Sequence, residues 1–398
     1  MIARERVLKA LAHEEPDRLP IDLGGSIVTG INAMAYQKLK EHMGLTKSPL
    51  RVTNIILLLA DVDKALRERW GVDVIPLNRY EAAPRVPLSG AWKPHPLPNG
   101  TRALFPEEFS PLIKEDGAWE LYDQGNRVGV LSPESGSFVP AYFPLARATV
   151  EALETFTLPG ISDTELEWLH KTARELYENT DYAVFGWFNG SIFEQAQFLC
   201  GWDNFMLRLA GEPEFAELLL TKLTDRVIED LKLYLEAVGK YIQIIGFGDD
   251  FGIQTGPQIA PALFRKLIKP LLARIYSTAH GLSEAKVFLH SCGSVYEFIE
   301  DFIEIGVDIL NPVQTSSRNM GLERLKNEFG KRICFWGGGT DVQRILPQGT
   351  TAEVRKDVHR RLEVMRGDGG FVFAPIHNIQ ADVPPENIAA MYEEAAGI

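Results

Sequence analysis

Lys286-Val287-Phe288-Leu289-His290 is a short apolar run that ends abruptly in polar chemistry, Ser291-Cys292-Gly293. A run of this length and composition, bounded by turn residues, fits a strand buried on both faces of a parallel sheet. Runs of the same type lie on either side of it, at Tyr182 to Phe188, Tyr241 to Phe247, Val307 to Asn311, Ile333 to Gly337 and Phe371 to Ile376. Longer stretches of helical periodicity separate them. Pro213-Glu214, for example, opens a segment whose apolar face is Phe215, Leu218, Leu219 and Leu223. Strands alternating with helices predict repeated βα units around a parallel sheet. Upstream, Arg18 to Asp22 and Val72 to Pro76 are two more short apolar runs close to a glycine, which brings the number to that of a (β/α)8 TIM barrel. The expected fold is α/β, one barrel over residues 1–398.

Residues 85–145 break this pattern. They are rich in Pro, Gly and aromatics, with turn signals at Asn99-Gly100, Asp116-Gly117 and Gln124-Gly125-Asn126 and an alternating stretch from Trp119 to Asp123. That predicts a β-hairpin insertion between the second and third barrel strands.

Composition limits the function classes. A chain of 398 residues, 45% apolar and 24% charged, has the make-up of a folded enzyme and not of a disordered or fibrous protein. Forty-one Lys and Arg against 54 Asp and Glu leave a formal charge of −13, which repels a phosphate backbone. Nucleic acid and anionic membranes are therefore excluded as main partners. Apolar runs such as Asn54 to Ala60 fall far short of the roughly 20 residues of a membrane span, and Met1 to Arg6 has no signal-peptide apolar core, so a cytoplasmic location is expected. Cys200, Cys292 and Cys334 are too few and scattered for a disulfide framework; a special cysteine here is a ligand or a nucleophile.

In a barrel of this kind chemistry sits at the C-terminal strand ends. Those ends carry Asp22, Asn189, Asp249-Asp250, His290 with Cys292, Asn311, Asp341 and His377. In extended chain residues i and i+2 point to one side, so His290 and Cys292 can meet one metal ion at about 2.0–2.3 Å. His377, after the last run and among polar neighbours, is the third candidate ligand, whereas Cys334 lies inside an apolar strand and reads as core. The competing reading is a buried Cys292 packed as a small hydrophobe beside a hydrogen-bonded His290. Asp249 and Asp250 follow Gly246-Phe247-Gly248 and are candidates for general acid or base, or for turn and cap chemistry. Gly337-Gly338-Gly339-Thr340-Asp341 lacks a P-loop lysine and fits close approach to a ligand or simple turn flexibility. Asn189, Asn311 and Gln380, with Asp22 and Trp187, are candidates for binding a substrate. The aromatics Trp187, Phe188, Phe247, Phe251 and Trp336 suit either a flat apolar substrate or a core.

Four segments carry a resemblance. They are Arg4 to Leu11 running to Pro16-Asp17-Arg18-Leu19-Pro20, then Gly248 to Gln254 with Pro261 to Pro270, then His290-Ser291-Cys292-Gly293, and Pro384-Pro385-Glu386-Asn387-Ile388. In these the chain resembles the uroporphyrinogen decarboxylase superfamily, including its corrinoid-dependent methyltransferase branches. The resemblance implies a barrel with its cleft at the C-terminal face. True decarboxylases hold porphyrinogen carboxylates with arginines after the first strand, but no arginine occurs here between Arg18 and Arg51. The methyltransferase branch implies zinc on a His-x-Cys pair and a later Cys before a Pro-Glu-Asn-like segment. His290 and Cys292 match the pair, and His377, seven residues before Pro384, stands where the thiol-methylating enzymes have cysteine. Fewer thiolates leave zinc more Lewis acidic and suited to an ether or phenolate oxygen.

The resulting expectation is a zinc-dependent methyltransferase. It would move a methyl group from a methoxylated aromatic or similar small donor to the cobalt of a corrinoid (cobalamin) on a separate protein, with Asp249 or Asp250 serving the leaving group. The alternatives are a metal-free lyase of the decarboxylase type with Asp22, Asp249 or His377 as acid, a methylcorrinoid:thiol methyltransferase, and a non-catalytic scaffold for a corrinoid protein.

Overall fold

Seven parallel strands lie side by side in chain order in the computed structural model, which describes residues 1–398. They are β1 (Val74–Leu77), β2 (Ala183–Asn189), β3 (Ile244–Gly248), β4 (Lys286–His290), β5 (Ile309–Asn311), β6 (Cys334–Trp336) and β7 (Phe371–Val372). Parallel neighbours need a crossover, and helices supply it. α1 (Ala3–Leu11) precedes the sheet; α2 (Asp163–Asn179) leads into β2; α3 (Phe193–Cys200) and α4 (Pro213–Val238) join β2 to β3. After these come α5 (Lys269–Leu282), α6 (Ile299–Glu304), α7 (Leu322–Phe329) and α8 (Thr351–Met365), one main crossover between each later pair of strands, and α9 (Pro385–Ala396) closes the chain.

The eighth expected strand, Arg18 to Asp22, shrinks to Ile21. This residue makes parallel bridges to Phe373 beyond β7 and to Val72 before β1, so the curled sheet's two edges meet on either side of one residue. Pro20 has no N–H to give a ladder, and its carbonyl accepts from Phe373 N while Asp73 N donates to Ile21 O.

Alternation along the strands sorts two cores. Val74, Ala183, Phe185, Trp187, Ile244, Phe288, Ile309, Cys334, Trp336 and Val372 point to the inside of the curl and form one cluster, while intervening residues such as Leu289, Leu310 and Phe335 join the larger core under the helices. Between β1 and β2 the chain forms antiparallel pairs, among them Trp92–Pro96 with Arg102–Pro106 and Trp119–Asp123 with Asn126–Leu131. No helix is long and apolar enough to cross a membrane.

Candidate active site

The period-two alternation that places Phe288 inside the curl also places His290 there, at the last residue of β4. Strand register sets Gly248, His290 and Asn311 in one row across β3, β4 and β5. Asn311 Nδ2 donates to Trp336 O at 2.8 Å, which turns its amide oxygen toward His290 Nδ1, 2.5 Å away. Nδ1 is thereby the protonated nitrogen of a neutral ring, and Nε2 is left free, 3.2 Å from Cys292 Sγ. His377, on the loop after β7, is held in the same manner, with Nδ1 2.7 Å from Asn378 Oδ1. Gln380 Nε2 donates to that same amide oxygen. The ligand atoms of His290, Cys292 and His377 all lie within 4.8 Å of one another.

Cys292 is set by a close backbone crossing. A Cβ on Gly252 would stand 2.6 Å from Cys292 O, and Gly293 has a φ of +82° and would meet Gly252 C at 2.5 Å, so only glycines allow the two segments to pass. The crossing brings Asp250 Oδ1 to 2.7 Å from Cys292 N. Burial, with help from His377, pushes His290 down to about 4, so its ring is neutral and able to ligate. Burial, then Asp250 and Glu194, hold the Cys292 thiol well above its ordinary range. Burial, then Asp250 and Asp249, hold Glu194 well above the usual carboxylate range.

Two imidazoles oriented by amide oxygens and one thiol, flanked by acids, form a donor set suited to zinc. The outer hydrogen bonds fix the ring nitrogens, and a dication would offset Asp250 and Glu194 and stabilise the thiolate. The residues fit the ion.

Other expected residues serve the fold. Asp249 is buried and its carboxylate accepts from Ile192 N, Phe193 N and Glu194 N at 3.0, 3.0 and 2.7 Å. It caps the start of α3. Asn311 is fully buried and orients His290. Gln380 is tied to Asn378. Asp22 is fully buried under the site, accepting from Gly25 N and Trp336 Nε1 at 2.7 and 2.9 Å. Trp187 packs inside the curl with Phe185 and Phe288, and Phe188 and Phe247 pack outward on Tyr234 and Tyr276, so these aromatics are core. Phe251 packs with Phe264 and Phe302. Asn189 is exposed at the end of β2, with a φ of +75°. Asp341 Oδ1 accepts from Gln343 N and Arg344 N in a turn. Cys334 sits at the opposite end of the sheet, where Leu11 O and His13 are its partners.

Sequence reasoning missed Glu194, Asn378 and Gln314, whose Oε1 accepts from Gly293 N at 2.8 Å. Each lies a few residues beyond a strand end, where counting only the first polar residue overlooks it. Cys292 and His377 open on a cavity of about 350 Å3. A larger one, about 510 Å3, lies at the other end of the sheet around Arg18, Trp70 and Gly369, and no three ligand groups converge there.

The uroporphyrinogen decarboxylase (URO-D) family profile matches residues 131–397. A protein of Pelobacter propionicus named uroporphyrinogen decarboxylase is 24% identical over 182 residues, 46% of this chain and 48% of that one, so the match spans about half the length of that curated relative. The solved structure of a methyltransferase from Methanosarcina mazei shares the fold with a TM-score of 0.62 at 18% identity, covering 99% of this chain and 98% of that one. The matched span carries β2 through β7 together with His290, Cys292 and His377, and the chain belongs to the uroporphyrinogen decarboxylase family.

Proposed function

We propose that this family member is a methyltransferase whose His290, Cys292 and His377 hold zinc and whose reaction moves a methyl group from the oxygen of a small methoxylated donor to the cobalt of a corrinoid on a separate protein. The observation that carries the reading is the convergence of two oriented imidazoles and one thiol beside a cavity. When bound, zinc supplies Lewis acidity toward the donor oxygen. Asn311 and Asn378 keep both histidine rings aimed. Asp250 and Glu194 flank Cys292, and Glu194, held well above the usual carboxylate range by burial, carries the proton for the departing oxygen, which keeps the electron pair of the broken O–CH3 bond. Asp249, with three backbone amides on its carboxylate, takes no part in this step.

On this reading residues 1–398 act as one barrel in the cytoplasm, with the hairpins of 85–145 as an insertion. Histidine in place of a second thiolate favours an oxygen donor over thiol methylation. The neutral cavity lining and the arginine-free segment between Arg18 and Arg51 speak against the decarboxylation of a polycarboxylate macrocycle.

The test is metal analysis of the purified protein, joined to an assay with a methoxyarene as donor and free reduced cobalamin as acceptor. About one zinc per chain and methyl transfer to cobalt are expected. A zinc-free protein, or turnover of uroporphyrinogen at about 1 per second or faster, a rate typical of enzymes, overturns the reading.

A further inference from the structure

The proposed reaction leaves open where the body of the donor lies, and the two sides of Cys292 differ in a way that answers it. One side is acidic, with Asp250 and Glu194. On the other, Cys292 and His377 open into the cavity of about 350 Å3, whose walls are mainly Val342, Leu346, Ile376 and Val383 with the amides of Gln314 and Gln343. No Lys, Arg, Asp or Glu lines it. Resting on the methyltransferase reading, we propose that this cavity is the donor subsite and that it selects uncharged, ring-sized methoxy compounds over anionic ones.

Size, polarity and charge agree. The volume is in the range of small-molecule sites, and a predominantly apolar wall with a few placed amides is the usual lining of such a site. Gln314 spends Oε1 on Gly293 N, which leaves Nε2 to donate to a ligand oxygen on that wall. The wall is preformed, because Asn387 Nδ2 donates to Leu346 O and Gly349 O at 2.9 and 2.8 Å, and Leu346 N donates to Asp341 O. With the donor oxygen facing the zinc, a carboxylate elsewhere on the ring would lie against this wall and lose its water with no Lys or Arg to receive it. The aromatic residues that first suggested a flat substrate are elsewhere, inside the curl or under the helices, so aliphatic side chains and not stacked rings form the contact surface.

The experiment is calorimetric titration of the zinc-containing protein with 2-methoxyphenol and with 4-hydroxy-3-methoxybenzoate, repeated on Val342→Trp and Val342→Arg. Val342 is half-buried on a loop, so both variants are expected to fold. The phenol should bind tighter than the benzoate by tenfold or more, as burial of an unpaired charge demands. Val342→Trp should weaken the phenol by a similar factor at unchanged zinc content, and Val342→Arg should reverse the order of the two ligands. Equal binding of the two by the unaltered protein, or a Val342→Trp variant that binds the phenol as well as the unaltered protein does, overturns the subsite assignment. Zinc content separates the two ideas: a protein without zinc defeats the methyltransferase reading, whereas zinc retained with the wrong ligand preference defeats only the subsite.

Discussion

The chain sets a cysteine beside a histidine twice, at opposite ends of one parallel sheet. At the C-terminal ends Cys292 Sγ lies 3.2 Å from His290 Nε2, and at the N-terminal ends Cys334 Sγ lies 3.5 Å from His13 Nε2. Burial pushes the Cys334 thiol up to about 12, and it donates to Leu11 O at 3.4 Å. His13 is lowered by burial and by Lys326, and no third ligand group converges there. The charges at that end are spent on the fold, with Asp73 buried between Arg6 and Arg18 at 2.7 and 2.8 Å. A Cys–His pair is thus not a site by itself. What distinguishes the Cys292 end is a second oriented histidine that completes a three-ligand cluster, with two acids beside it.

The sharpest way to break this contrast is to remove each thiol in turn. Cys292→Ala should purify nearly free of zinc, since loss of one ligand from a three-residue site removes most of the binding. Cys334→Ala should keep full zinc and lose about 1 kcal/mol of stability, as expected for a small buried group. Metal quantification with urea unfolding reads both, and zinc lost from the Cys334 variant alone would exchange the roles of the two ends.

A finer probe removes the orienting amides. Asn311→Ala and Asn378→Ala leave all three ligands in place but free their rings, and zinc affinity should fall by about 10–100-fold. Competition with a chelator measures this. Unchanged affinity in both would mean that packing alone aims the histidines.

Asp249→Ala separates capping from catalysis at the same end of the sheet. Three backbone amides of α3 lose their acceptor, so stability should drop by roughly 2–4 kcal/mol while zinc content stays unchanged. Loss of methyl transfer at full stability would return Asp249 to the catalytic set.

The smallest expected effect is at the fully buried Asp22. Burial pushes Asp22 up to about 6, above its ordinary value of about 3.9. The folded state therefore prefers the protonated acid, so the stabilising contribution is full below about pH 4 and is lost as pH rises through about 6. Asp22→Asn should flatten the stability profile across that interval. Parallel profiles from denaturant titrations at pH 4 to 8 would show that Asp22 is not the group responsible.

Much of this was legible in one dimension, for a local reason. Seven of the eight expected runs form strands within a few residues of the expected bounds, Lys286–His290 without a shift, because burial on both faces demands apolar residues in sequence. His290 with Cys292 was legible because i, i+2 spacing in extended chain is itself a geometry. Arg18 to Asp22 read equally well as a strand, yet only Ile21 pairs, since the proline on one side and the turn on the other are short-range limits that an apolar run does not reveal.

Amino-acid order by itself determined the α/β layering, the strand ends as the place of chemistry and the His-x-Cys pair. Only the tertiary structure decided what each polar residue does there. Asp249 and Asp250 are adjacent in sequence, but one meets amides 55 to 57 residues away on α3 and the other the amide of Cys292, 42 residues away. A carboxylate's role follows from the donors that reach it, and in a parallel sheet those donors arrive from neighbouring βα units. His377 meets His290 and Cys292 across the sheet's own curvature, and Glu194 joins them because Asp249 pins the start of its helix.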